Sequence, residues 1–136
     1  MRPLTIDLDH LASALTNQQG DFRLDLLSGR LLDIPPAGED PEIERLLAEE
    51  PERLLALEPL SSIEHLALME DFLCEVVDPD AYAALTAAMA ERRQQRAFLN
   101  ALHQFPRVRA AWQLYEHERL RDLALDWLAD NQLEQK

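Results

Sequence analysis

The 136-residue sequence predicts an α+β fold: a mainly helical single domain, residues 1–136, with a small antiparallel β-hairpin beside five or six helices. Three observations carry this. DFRLDLLSGRLLDI alternates apolar and polar residues around a Ser28-Gly29 turn, the pattern of a hairpin. All three glycines lie at or before Gly38, and the rest of the chain has none. That remainder repeats a helix-opening signal, a capping side chain followed by proline or by a glutamate three residues on.

The elements follow in order. Asp7 is placed to cap a first helix through Leu8, Leu11, Ala12 and Leu15, with Gly20 as its end. In the hairpin, Phe22, Leu24 and Leu26 share one face, with Arg23 and Asp25 on the other. Asp40-Pro41 opens a second helix, stopped at Pro51. RLLALEPL offers a third short strand before Pro59. Ser61 and Glu64 have capping-box spacing and open a helix to about Val77. Asp78-Pro79 opens the next, through Tyr82, Leu85 and Met89, and Phe98, Leu102 and Phe105 mark another. The last stretch starts at Pro106. Val108, Trp112 and Tyr115 share one face, whereas Leu120, Leu123 and Trp127 share a face roughly a quarter turn away. This shift predicts a bend or break near His117. The aromatic residues, at helical spacing, are expected in the core.

Composition restricts the function. Apolar residues make up 47% and charged residues 29%, a soluble globular profile. The single cysteine, Cys74, allows no internal disulfide and is expected as a buried, inert thiol. MRPLTIDLDHLASAL lacks the pattern of a secretion signal, and no apolar run is long enough to span a membrane, so the cytoplasm is the expected compartment. The net charge is -13. Residues 1–91 hold 5 basic and 20 acidic residues, whereas residues 92–136 hold 8 basic and 6 acidic. An acidic body repels nucleic acid and anionic membrane at long range.

Catalytic patterns are not encoded. No GxSxG elbow exists, and Ser28, Ser61 and Ser62 serve turns and helix starts. The four histidines are never paired at i, i+4, so no metal is expected, and the isolated glycines build no phosphate loop, so no cofactor is expected. Glu70 is the one unusual carboxylate. It projects from the arc Ile63, Leu66, Cys74 and Val77, where a buried charge would need a partner. Arg92, Arg93 or Arg96 is the expected one.

Those arginines open a basic island. From Arg92 to Tyr115 there are five arginines and no Asp or Glu. Arg92 and Arg93 suit a helix C-terminus. Arg96 points away from Phe98 and Leu102. Arg107 and Arg109 follow Pro106 at a helix start, where positive charge is unfavourable and an anion is favoured. Arg96, Arg107 and Arg109 are therefore the anion- or partner-binding candidates, with neutralisation by the chain's own carboxylates the plainer alternative.

LDLLSGRLL, ALMEDFL, RAFLNAL and AAWQLYEHERLRDLALDWL, in that order, resemble an uncharacterised bacterial protein family, numbered 0158 among families of unknown function. The resemblance covers about Asp7 to Asn131. This chain departs from it at Gln94-Gln95-Arg96, where a glycine-containing turn is usual, and at Leu99-Asn100-Ala101, usually more basic. The family implies a bacterial cytoplasmic domain and no mechanism. The expected role is a non-catalytic protein-binding or regulatory module. The alternatives are a small-anion-binding protein or enzyme using Glu70 with Arg107 and Arg109, and a weak nucleic-acid binder through Arg92–Arg109.

Overall fold

A computed structural model describes residues 2–135. Among them the fold is α+β, with β1 (Arg2–Leu4), α1 (Leu8–Ala14), β2 (Phe22–Asp25), β3 (Leu31–Asp33), α2 (Pro41–Glu49), β4 (Leu54–Leu57), α3 (Ser62–Leu73), α4 (Pro79–Met89), α5 (Gln94–Leu102), α6 (Pro106–Asp130) and β5 (Leu133–Gln135). The chain forms two compact units. One holds the residues up to Leu60 and again from Leu120; the other is Ser61–Arg119.

In the first unit, the expected hairpin gains the third strand that RLLALEPL offered. The antiparallel order is β3-β2-β4, with Leu24 opposite both Leu31 and Leu55. Phe22 and Leu24 point into the core while Arg23 is half-buried, as strand alternation requires. Leu11, Leu24 and Leu128 lie at the centre of this core. A parallel pair, β1 with β5, sets Arg2 opposite Leu133 and joins the two ends of the chain. Asp7 caps α1 through the His10 amide at 3.1 Å. That helix ends well before Gly20, because the Asn17 side chain accepts the Gln19 and Gly20 amides and turns the chain first. Gly29 has φ +79, the left-handed conformation that the hairpin turn demands.

Asp25 corrects the hairpin reading. It is not on a polar face but is 4% exposed. The strand stops at Asp25, and its carboxylate turns back to accept the Leu27 amide at 3.0 Å and the Ser28 hydroxyl at 2.7 Å. Arg53, immediately before β4, completes its shell.

The second unit is helical throughout its regular elements. Ser61 and Glu64 make the expected reciprocal capping box of α3, and Asp78 caps α4. Met69, Phe72, Leu85, Phe98, Leu102 and Trp112 build its core. Phe98 and Phe72 meet Trp112 edge-on at 5.2 Å and 5.4 Å between ring centres. Tyr82 departs from the expected aromatic core and is 48% exposed.

Of the bend or break predicted near His117, the break is absent: α6 is helical from Pro106 to Asp130. The shift of its apolar face has another cause. Trp112 is buried in the second unit, whereas Leu120, Ala124 and Leu128 are buried in the first, and the division between units falls after Arg119. One unbroken helix supplies side chains to two cores. No helix among the described residues is long and apolar enough to cross a membrane.

Candidate functional site

The orientation of α3 decides where a site can lie. Its inward residues are Leu68, Met69 and Phe72, with His65 partly covered. The arc containing Glu70 therefore faces outward. Ile63 is 80% and Val77 94% exposed, and Glu70 and Cys74 are exposed too. This overturns the expectation of a buried Glu70 pair. Glu70 is solvated, and among the described residues no arginine makes an ion pair with it. It also overturns the buried thiol, since Cys74 caps the end of α3 at the surface. Apolar residues occupy both faces of α3, so spacing alone does not select the inward one. Tertiary contacts select it: Phe72 packs on Trp112 and Tyr115, and His65 Nε2 lies 2.9 Å from Glu116 Oε2 on α6.

Four of the five arginines of the basic island line two cavities of the second unit. The first is a cleft of about 580 Å³ between the start of α3 and the start of α5. Arg92, Arg93 and Arg96 line it with Leu66 and Leu99. Arg93 occupies the N-cap of α5 without a capping side-chain bond, and the first turn has no acidic residue. Gln94 Nε2 donates back to the Met89 carbonyl at 2.7 Å, and Gln95 Nε2 donates to the Ser62 carbonyl at 3.4 Å. These amides fix the link between α4 and α5, so the guanidiniums are presented from a defined turn. Arg96 and Leu99 are three residues apart on α5 and share its exposed side.

Arg107 lines a second cavity, and Arg109 lines neither. The second cavity, about 610 Å³, lies between the end of α3 and the first half of α6. Its walls include Phe72, Val76, Val108 and Tyr115, with Glu75, Asp78 and Glu118 around them. Burial raises the Tyr115 phenol above its ordinary value; Asp71 and Glu75 act in the same direction, and Arg119 opposes them.

Among the described residues, no carboxylate lies within 4 Å of the guanidinium nitrogens of Arg92, Arg93, Arg96, Arg107 or Arg109. The carboxylate-guanidinium pairs instead involve Arg23, Arg45 and Arg53, all outside the island. Glu70 lines neither cavity, so it does not converge with Arg107 and Arg109 as the enzyme alternative required. Among the described residues, no group of three or more His, Cys, Asp or Glu side chains is placed to hold a metal ion.

The sequence profile of the uncharacterised protein family UPF0158 matches residues 1–136, the whole chain. The chain belongs to this family. It is 48% identical over 134 residues to the UPF0158 protein of Pseudomonas aeruginosa strain PAO1, covering 98% of this chain and 88% of that one. No solved structure matches this chain. UPF0158 is described as uncharacterised, so it supplies membership and no activity.

The cleft was only half legible in the sequence. Arg96 was singled out for pointing away from the core, and the cleft contains it. Arg92 and Arg93 read as helix-dipole partners, yet they lie beyond the end of α4 at Met89 and line the same cleft. Leu66 and Leu99 were missed. A leucine three residues from an outward arginine on a helix was the available signal.

Proposed function

We propose that this UPF0158 protein is a non-catalytic binding module of the bacterial cytoplasm, and that its α3–α5 cleft takes an acidic segment of a partner protein. One observation carries this reading: Arg92, Arg93 and Arg96 surround a cleft that also holds Leu66 and Leu99, and no carboxylate of the described chain neutralises them. Three guanidiniums close together favour carboxylates, to which each can bind bidentately. The leucines add apolar area that a free anion would leave uncovered. Exposed charges more than about 8 Å apart are largely screened at physiological salt, so the local sign outweighs the -13 total.

Nucleic acid suits the cleft less well. Three arginines neutralise about three phosphates, which gives weak binding at physiological salt. The aromatic residues that could stack on bases are mostly engaged elsewhere, with Phe98 and Trp112 buried against each other.

Affinity capture from a bacterial lysate tests the reading, with wild type beside Arg92→Glu/Arg93→Glu/Arg96→Glu. Arg109→Glu serves as a control of the same kind outside both cavities. Loss of the captured protein from the first variant alone is expected. Identical captures from all three would remove the cleft as the partner surface.

A further inference from the structure

The second cavity of the Ser61–Arg119 unit differs from the arginine cleft in both shape and charge. Along α6, Val108, Ala111, Tyr115 and Glu118 line it at spacings of three and four residues. That stripe covers eleven residues, about 15 Å of helix. The opposite wall runs from Phe72 at the end of α3 into the link before α4, where Val77 is 94% exposed. Leu114 on α6 is 60% exposed. An apolar trough with such uncovered side chains on both walls is a surface suited to a partner.

Charge indicates which partner. Glu75, Asp78 and Glu118 line the trough against one cation, Arg107, and the protein as a whole carries -13. The local sign at the trough is acidic, which favours a cationic partner there. Every regular element of the second unit is a helix among the described residues, so there is no sheet edge for an extended peptide to join. A trough about three helical turns long, apolar inside and acidic at its borders, matches a helix with an apolar stripe flanked by lysine or arginine.

We propose that the α3–α6 trough is a docking site for a basic amphipathic helix of a partner protein. Its apolar residues, one every three or four positions, lie against Val77, Val108 and Leu114, and its flanking cations face Glu75 and Glu118. This site is separate from the arginine cleft, and its partner has the opposite charge. The module is then two-sided, holding an acidic segment at one cavity and a basic helix at the other.

The test uses the full chain and a designed, fluorescein-labelled helical peptide with leucines at i, i+3 and i+7 and lysines beside them. A twin peptide carries glutamates in place of the lysines. Fluorescence anisotropy is expected to show binding of the lysine peptide and not of the glutamate twin. Glu75→Lys/Glu118→Lys and, separately, Leu114→Ser are expected to weaken binding by about tenfold or more. Both variants alter exposed side chains, and unchanged thermal melting confirms that they fold. Arg92→Glu/Arg96→Glu is expected to leave this affinity unaltered, which separates failure here from failure of the arginine cleft. Equal affinity for the twin peptides, or indifference to the trough variants, overturns the proposal. So does a dimer in sedimentation that Leu114→Ser dissolves, because a second copy would then occupy the trough.

Discussion

Arg53 meets Asp25 side-on, with Nε 2.7 Å from one carboxylate oxygen and Nη2 2.9 Å from the other. The pair ties the end of β2 to the entry of β4. Asp25 also accepts the Leu27 amide and the Ser28 hydroxyl, so one carboxylate holds the third strand and the hairpin turn together. Asp25→Ala should therefore lower stability by about 2–3 kcal/mol, the order expected when charge-assisted hydrogen bonds of a buried group are lost. Urea denaturation followed by circular dichroism measures it. A change of a few tenths would mean that the pair is dispensable.

The same pair makes stability depend on pH in acid. The Arg53 hydrogen bond holds the Asp25 carboxyl far below its ordinary 3.8; burial opposes this, and Ser28 and the Leu27 amide reinforce it. The unfolded chain therefore binds the proton first as pH falls. The stabilisation is complete above the unfolded value, about 3.9, and is lost progressively below it. Asp25→Asn should flatten the fall of stability below about pH 4 and leave the neutral region level, although at lower absolute stability. Parallel slopes for wild type and variant through that range would contradict this account.

Tyr115 makes the opposite prediction at high pH. Its phenol is raised, chiefly by burial, so the folded state keeps the proton where the unfolded chain has released it. Stability from this group is complete below the unfolded value of about 10 and falls as pH rises beyond it. Tyr115→Phe should remove that alkaline decline in a pH series of thermal melts. Persistence of the full decline would assign it to other groups.

Gly29 and Gly38 both have positive φ, yet their substitution should differ. A Cβ on Gly29 would clash with the Thr5 carbonyl oxygen, whereas on Gly38 it would meet nothing within 4 Å. Gly38→Ala carries only the backbone penalty, about 1 kcal/mol. Gly29→Ala adds a backbone clash and should cost clearly more in the same denaturation assay. Equal losses would show that Thr5 yields without penalty.

Local chemistry was readable in the sequence, and long-range choice was not. Asp7, Asp40, Ser61 and Asp78 cap the helices assigned to them because a cap acts within three residues of itself. The hairpin was legible for the same reason. The β1–β5 pair was not, because three-residue strands at opposite ends of the chain have no pattern of their own. Asp25 resembled a polar-face residue because its partner is 28 positions away. Glu70 was misplaced because α3 is apolar on both sides, and only Trp112 and Tyr115 decide which side turns inward. In α6 the buried face shifts where its neighbours change after Arg119, and the helix does not break there. At the candidate site, the arginines were visible as an island, but their separation into the cleft around Arg96, the trough containing Arg107 and the outlying Arg109 needed the fold.

The proposed acidic-segment surface at Arg92, Arg93 and Arg96 is open to direct binding measurement. A titration of the full chain with a labelled peptide alternating glutamate and leucine tests it most directly, beside a single-stranded oligonucleotide of similar charge. The account predicts saturable peptide binding that weakens as salt rises and is lost in Arg92→Glu/Arg93→Glu/Arg96→Glu, with the oligonucleotide bound more weakly. Peptide affinity unchanged by that triple substitution, or an oligonucleotide preferred over the peptide, would contradict it.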